Sequence, residues 1–104
     1  MGKLEKIEKC VQKGKEDELV KLVHDRDKNV RLAAIAGLGR AGKDNACNVL
    51  ITLLLDDDPE IRSASASALG DLGDPHLMHH LGVEKDERVA AAIKDAVGKL
   101  HGGG

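Results

Sequence analysis

The sequence repeats one motif three times between residues 27 and 102, and this repetition constrains the fold more than any other feature. Residues 27–39 (DKNVRLAAIAGLG) return as residues 58–70 (DPEIRSASASALG) and, more loosely, as residues 86–98 (DERVAAAIKDAVG). The equivalent positions are spaced by 31 and then 28 residues. A period of roughly 20–50 residues is typical of solenoids, in which each unit buries its apolar face only against its neighbours.

Apolar residues recur at helical spacing throughout the chain, and strand-like alternation is absent. Helix seven shows the pattern most clearly, because Val89, Ile93, Ala96 and Leu100 follow one another at intervals of three or four. The spacing predicts seven helices, at about residues 3–13, 16–24, 28–41, 44–55, 59–72, 75–82 and 87–101. We therefore predict an all-α fold, an α-solenoid of about three antiparallel helix-pair repeats with an N-terminal capping helix.

Helix-capping residues agree with these boundaries. Aspartates, which accept backbone N–H bonds at helix starts, precede four of the predicted helices as Asp27, Asp58, Asp74 and Asp86. Two of them are followed by proline, which is well suited to the first helical position. Glycines, which tolerate positive φ, stand at predicted helix ends as Gly42, Gly73 and Gly82.

The expected organisation is one domain over residues 1–104. Its parts are a capping helix, three repeats and a flexible glycine tail, at residues 1–14, 16–42, 44–73, 75–101 and 102–104.

Composition excludes several classes of function. Sixteen basic and 18 acidic residues leave a net charge of −2, whereas a dedicated nucleic-acid binder normally carries a basic surface. The chain has no Phe, Tyr or Trp, so base-stacking platforms are absent. There is no apolar run long enough to span a membrane. Cys10 and Cys47 lack metal-ligand or redox spacing, and we expect reduced thiols in a cytoplasmic protein.

The repeated motif resembles the second helix (helix B) of the HEAT repeat family. The resemblance rests on an Asp, a Val/Ile-Arg pair, Ala-rich positions and a closing Leu-Gly-x-Leu/Ala-Gly, as in residues 27–42 and 58–73. The resemblance covers about residues 16–101. It is to the short bacterial and archaeal form of the repeat, which is also found in phycobilisome lyase-type repeat proteins. The resemblance implies A helices on the outside and B helices lining a concave inner face.

The resemblance also implies a structural ladder across the turns between paired helices. Arg31 and Arg62 would pair there with acidic residues, for which Asp27 and Asp58 are the candidates. The third repeat has Ala90 where the arginine would stand, which suggests that it serves as a C-terminal cap.

No motif supports catalysis. Residues 37–43 (GLGRAGK) contain G-x-G-x-x-G, but these glycines close a helix, whereas a phosphate loop needs glycines that open one. Residues 56–58 (DDD) are better explained as helix-capping residues than as a cation site. We expect no enzyme activity and no cofactor.

His79 and His80 stand three and four residues after His76 on one short predicted helix. Such rings can converge on Zn²⁺ or Ni²⁺. Two or three histidines are an incomplete shell, so solvated histidines on an outer helix are the interpretation we favour. A metal-binding module remains an alternative.

The predicted function is a non-catalytic scaffold that binds a protein or peptide through the B-helix face. The predicted contact residues are Leu32, Ile35, Arg40, Ser63, Ser67, Asp71, Lys94 and Asp95. Burial of Leu32 and Ile35 against helix one is the competing interpretation of those two positions. A homodimer through an under-capped C-terminal end, and an accessory role in a tetrapyrrole-handling lyase, are further alternatives.

Overall fold

The computed structural model describes residues 2–74, 77–81 and 83–102, with the backbone alone described at residues 78, 81 and 100–102. This part of the chain contains no strand, and the predicted all-α solenoid is confirmed. Its helices are α1 (Lys3–Lys13), α2 (Glu16–Leu22), α3 (Lys28–Ala41), α4 (Asp44–Leu53), α5 (Pro59–Leu72), α6 (Leu77–Leu81) and α7 (Glu87–Gly102).

The predicted bounds of α1, α3 and α5 are confirmed to the residue, and the others differ at their ends. Helices α2 and α4 end two residues earlier than predicted, because the chain tightens there into i→i−3 hydrogen bonds such as Asp25 N–H to the Leu22 carbonyl (3.1 Å). The predicted first and last residues of α6, Pro75 and Gly82, lie outside the described residues. Helix α7 ends at Gly102, so the predicted tail (residues 102–104) begins one residue too early.

Each repeat pairs a short A helix (α2, α4 or α6) with a longer B helix (α3, α5 or α7). The B helices pack side by side in chain order, and α1 packs on α3 in the same way. A single apolar core runs between the two helix layers. Its largest fully buried side chains include Leu19, Val23, Ile35, Leu38, Leu50, Leu69, Leu77, Val89 and Ile93.

Small residues set the close approach of neighbouring B helices. A Cβ built on Gly39 would lie 3.0 Å from the Cα of Ala68, and one on Gly70 would lie 2.7 Å from the Cβ of Ala96. Gly98 is the equivalent position on α7, and nothing lies within 4 Å of a Cβ built there. The B helices therefore meet through a glycine on one helix and an alanine on the next.

Glycines close two of the helices in the left-handed region, namely Gly14 (φ 66°) and Gly73 (φ 75°). Gly42 also follows a helix, but it does not adopt the positive φ expected of a glycine at a helix end. Its φ is −76°, and its small size is needed because a Cβ there would overlap Ala46.

Among the described helices, none has both the length and the hydropathy needed to cross a bilayer.

Candidate functional site

Four rows of equivalent positions form the outer surface of α3, α5 and α7, which we call the B-helix face. Two central rows carry small side chains, apart from Asp95, and two end rows are mostly charged. From the N-terminal ends of the helices to their C-terminal ends, the rows are Asn29–Glu60–Arg88, Ala33–Ala64–Ala92, Ala36–Ser67–Asp95 and Arg40–Asp71–Lys99. The Ala33 row is half-buried and the other three rows are exposed.

Ion pairs join neighbouring helices at the C-terminal end of this face. Arg40 donates from Nη1 and Nη2 to the two carboxylate oxygens of Glu8 on α1, at 3.0 and 3.3 Å. This hydrogen-bonded pairing raises the pKa of Arg40. Lys99 Nζ lies 3.3 Å from Asp71 Oδ1. All four side chains are about half exposed, so water screens both pairs and each stabilises the fold only slightly.

The N-terminal end of the face carries a further charged group. Lys28 Nζ lies 2.8 Å from Asp58 Oδ2 and 2.7 Å from Glu60 Oε1. The hydrogen bond from Lys28, followed by the Glu60 N–H, lowers the pKa of Asp58, and the two carboxylates raise the pKa of Lys28. A depression of about 330 Å³ opens beside this group, between the first turns of α5 and α7, and Ser63 and Arg88 line it.

Half of the predicted contact residues lie on the B-helix face: Arg40, Ser67, Asp71 and Asp95. Leu32 and Ser63 are half-buried; Leu32 packs against the core, and Ser63 lines the depression between α5 and α7. The half-buried position of Leu32 favours packing over an exposed contact site, whereas its burial against helix one stays a prediction.

The prediction of Ile35 as a surface contact is wrong, because its side chain is completely buried. Its equivalent on α5, Ala66, is also completely buried, whereas Lys94 on α7 is exposed. This row points along the solenoid toward the following repeat and not toward the predicted concave surface. Lys94 stands on a side of α7 that no described helix covers.

A regular network of carboxylates organises the turns between the A and B helices, which we call the A–B turns. In each turn, one carboxylate accepts the N–H of the capping Asp two residues later. Those bonds are Asp25 to Asp27 N–H (3.0 Å), Asp56 to Asp58 N–H (2.9 Å) and Glu84 to Asp86 N–H (3.0 Å).

The capping Asp then accepts the N–H two residues further on, which confirms the predicted caps of α3, α5 and α7. The preceding carboxylate was missed by the sequence analysis. An acidic residue two positions before each capping Asp, in all three repeats, is the signal that identifies it.

The predicted arginine ladder is present in a different form. Arg31 donates to the carbonyl oxygens of Asp25 and Arg26, and Arg62 donates to the carbonyl oxygens of Asp56 and Asp57. The arginines thus bind the backbone of their own turn.

The expected acidic partners, Asp27 and Asp58, act as helix caps. Arg62 also pairs with Glu84 of the following turn, at 3.1 Å between Nε and Oε1. Burial raises the pKa of Glu84, but the N–H of Asp86 and the Arg62 guanidinium outweigh it, and the net pKa is lowered.

Helix α2 also stabilises the start of the next A helix. Glu16 Oε2 accepts the N–H of Lys43 and that of Ala46, the latter at 3.1 Å. These bonds satisfy first-turn donors of α4 that its own N-cap residue leaves open. Cys47 is the equivalent of Glu16 one repeat later. Burial, and then the neighbouring Asp74, raise the pKa of its thiol, which keeps the thiol protonated and weakly nucleophilic.

The structure describes the side chains of two of the three predicted metal candidates, His79 and His80. His76 lies outside the described residues, His79 is exposed, and His80 Nε2 lies 3.5 Å from Glu84 Oε1. Within residues 2–74, 77–81 and 83–102, no group of three or more His, Cys, Asp or Glu side chains is arranged to hold a metal ion. His80 therefore contributes to the network of the third A–B turn through Glu84.

Comparison with known proteins identifies the repeats. A family model described as HEAT repeats matches residues 16–98, which is most of the chain. No curated protein matches the sequence. The matched range spans all three A–B pairs, including the caps, the turn arginines and the glycine–alanine contacts. The chain belongs to the HEAT repeat family.

Proposed function

We propose that this chain is a non-catalytic scaffold that binds a protein or peptide through its B-helix face. The observation that carries the proposal is the regular layout of that face in all three repeats. Two central rows of mostly small residues lie between two mostly charged rows. HEAT repeats commonly serve as protein-interaction scaffolds and are generally non-catalytic.

The small central rows make the face accessible to a partner backbone. Ala36 and Ser67 are exposed and project little beyond the helices, and Ala33, Ala64 and Ala92 are half-buried beside them. These short side chains lose little rotamer freedom when they are covered. The face is also preorganised by the close helix packing, which lowers the entropy cost of binding.

The charged rows provide orientation and selectivity. Their ion pairs are solvent-exposed, so a partner can compete for them without leaving a buried charge. Arg40, Asp71 and Lys99 present alternating charge from one repeat to the next. We expect a partner with the opposite alternation to bind in one register, with micromolar affinity because the face offers no aromatic anchor.

The proposed contact set is therefore narrower than the sequence alone suggested. It keeps Arg40, Ser67, Asp71 and Asp95, and it omits Ile35 because a completely buried side chain cannot meet a partner. Lys94 belongs to the far side of α7 and is outside the face.

The test compares two arginine substitutions at exposed helical positions. Ser67→Arg places a long cation at the centre of the face, whereas Asn48→Arg places the same side chain on α4, away from it. Each variant and the wild type would be used to capture partners from a native lysate. The captured protein would then be purified and its dissociation constant measured by titration calorimetry.

We expect Ser67→Arg to weaken binding by at least about tenfold, and Asn48→Arg to leave it unchanged. Circular dichroism should show equal helicity for all three proteins. Equal binding by both variants would contradict the proposed face, and equal loss would indicate a site elsewhere or a general effect of added charge.

The remaining alternatives gain no specific support from the described residues. A His-based metal module would require His76 to complete a site, and a Zn²⁺ or Ni²⁺ titration followed by calorimetry tests it directly. An accessory role in a tetrapyrrole-handling lyase predicts a visible absorption change on adding bilin. We also infer a reducing compartment such as the cytoplasm, since both cysteines are free.

A further inference from the structure

The A–B turns form a second exposed surface, separate from the B-helix face. At its rim, Leu55 is 74% exposed and Val83 is 66% exposed, which makes them the two most exposed large apolar side chains among the described residues. They hold equivalent positions in repeats 2 and 3. A depression of about 430 Å³ lies between the two turns, and both side chains line it.

Charged residues also stand at equivalent positions of the two repeats, beside these apolar residues. Asp57 stands two residues after Leu55, and Lys85 stands two residues after Val83. Both are exposed and line the same depression. Equivalent positions of successive repeats thus carry similar apolar residues and opposite charges. We call these four residues the turn edge.

The charged groups deeper in the depression are held by contacts within the fold, since half-buried Asp56 accepts the Asp58 N–H at 2.9 Å. Arg62 and Glu84 face each other there, with Nε and Oε1 3.1 Å apart, and their side chains are only 19% and 3% exposed. Recognition at the turn edge therefore depends on its four outer residues.

This pattern is self-complementary under a two-fold rotation. If a second copy lies antiparallel on the edge, repeat 2 of one copy faces repeat 3 of the other. Leu55 then meets Val83, and Asp57 meets Lys85, twice in the same interface. A closed two-fold interface requires a patch that matches itself in this way.

We propose that the turn edge of repeats 2 and 3 is the interface of an antiparallel homodimer of this chain. Leu55 packs on the partner's Val83, and Asp57 pairs with the partner's Lys85. The two-fold axis passes between repeats 2 and 3. An axis through repeat 2 is disfavoured, because it would bring Arg26, the equivalent residue of repeat 1, against the partner's Lys85.

The same features explain why the contact is confined to two repeats. His24 replaces the apolar residue in repeat 1, so the apolar patch ends there. The patch is small compared with standard interfaces, which bury about 800 Å² per partner. We therefore expect a dissociation constant in the range of tens to hundreds of micromolar, roughly.

The C-terminal end of the solenoid is a weaker candidate for a dimer contact. The far side of α7 carries Lys94 at the position where α3 and α5 bury Ile35 and Ala66. A charged residue at the centre of that surface opposes its burial against a second copy.

Charge exchange at the turn edge tests the proposal directly. The variants are Asp57→Lys, Lys85→Asp and the double variant, with Lys94→Asp as the control for the C-terminal end. Sedimentation equilibrium would be followed by interference optics, because the chain has no Trp or Tyr, from about 20 µM to about 1 mM protein.

We expect each single variant to weaken dimerisation at least about tenfold, because like charges then meet at both contacts. An equimolar mixture of the two single variants should dimerise again, and so should the double variant, since opposite charges meet in both cases. Lys94→Asp should behave as the wild type. All substituted side chains are exposed, so circular dichroism should show unchanged helicity.

Three outcomes would overturn the proposal. The wild type could stay monomeric at 1 mM protein, or the single variants could dimerise as strongly as the wild type. The third is an equimolar mixture of the single variants that does not dimerise. Selective loss of the dimer in Lys94→Asp would instead assign the contact to the C-terminal end.

Discussion

The two junctions between B helices are built from the same motif but filled differently. At the first junction, Leu32 and Ile35 lie two turns and one turn before Gly39, which meets Ala68, so they share the side of α3 that faces α5. At the second, α5 presents Ser63 and Ala66 toward α7. Large side chains therefore fill the first junction, whereas the second relies on close backbone approach at Gly70. The repeated motif thus packs in the same direction at both junctions, although different contacts stabilise each one.

The turns beside these junctions differ in a related way. Among the contacts of the described residues, Arg31 binds the backbone of its own turn, whereas Arg62 does so and also bridges to Glu84 of the next repeat. Asp25 in the first turn pairs with Lys3 of α1 at 2.7 Å, and this hydrogen bond, with that of the Asp27 N–H, lowers its pKa. The Arg62–Glu84 pair is the more buried of these two ion pairs.

The largest expected effect comes from truncating the first junction. Ile35→Ala removes a completely buried side chain and leaves a cavity between α3 and α5. We expect the free energy of unfolding to fall by about 2–5 kcal/mol, measured by urea denaturation followed by circular dichroism. The control is Ala36→Ser on the exposed side of the same helix, which should change stability by less than about 0.5 kcal/mol. Equal effects at both positions would show that Ile35 is not buried in solution.

Adding a methyl group at equivalent glycines tests the second junction. Gly70→Ala should destabilise the protein by about 1–2 kcal/mol, since overpacking against Ala96 exceeds the gain in helix propensity. Gly39→Ala, which meets Ala68 less closely, should be near neutral.

Gly98→Ala completes this series, because nothing lies near a Cβ at that position. It should stabilise the protein by about 0.5–1 kcal/mol. The same urea experiment ranks the three variants, and any other order would contradict the close approach at Gly70.

The buried ion pair at the second turn predicts a specific pH dependence. Glu84→Gln should lower the free energy of unfolding at pH 7 by about 1–3 kcal/mol, because it weakens charge-assisted hydrogen bonds with Arg62 and the Asp86 N–H. The pKa of Glu84 in the folded protein lies below its ordinary 4.5, so its contribution is fully present above that pH.

Acidification should remove this contribution as the pH falls through the folded-state pKa of Glu84. The difference in stability between wild type and Glu84→Gln should therefore shrink below about pH 4.5. Urea midpoints measured from pH 3 to 7 provide the comparison. A difference that stays constant over this range would contradict the ionised bridge.

The smallest effect is expected at the exposed ion pair between α1 and α3. A double-mutant cycle between Glu8→Gln and Arg40→Gln should give a coupling of about 0.2–1 kcal/mol, and it should decrease in about 1 M salt. The pair is about half exposed, which is the physical reason for the low value. A larger, salt-independent coupling would indicate that this pair is shielded from water in solution.

Much of this fold could be predicted because its local signals agree with one another. The Asp caps of α3, α5 and α7, the helical apolar spacing and the repeat itself all indicate the same helix pairs. These signals depend on residues close in sequence, so they can be read without knowing the packing. The N-terminal bounds of α3, α5 and α7 were predicted correctly for that reason.

The candidate site was predicted less well, because surface and junction positions look alike on a helix that packs on two sides. Ile35 and Ala36 are neighbours in sequence, yet one is completely buried and the other is exposed. The apolar side of a B helix is wide, because one part of it packs on the A helix of the same repeat and another part packs on the next repeat. Their boundary depends on how far the solenoid rotates from one repeat to the next.

The sequence by itself determined the helices, their caps and their repetition, because backbone hydrogen bonding and side-chain periodicity act over a few residues. Only the tertiary structure decided which side of each B helix meets the next repeat. It also decided that Glu16 caps α4, that Arg62 reaches Glu84, and that Leu55 and Val83 share one exposed edge. These contacts join residues 22–30 positions apart, and their geometry follows from the angle and distance at which whole helices pack.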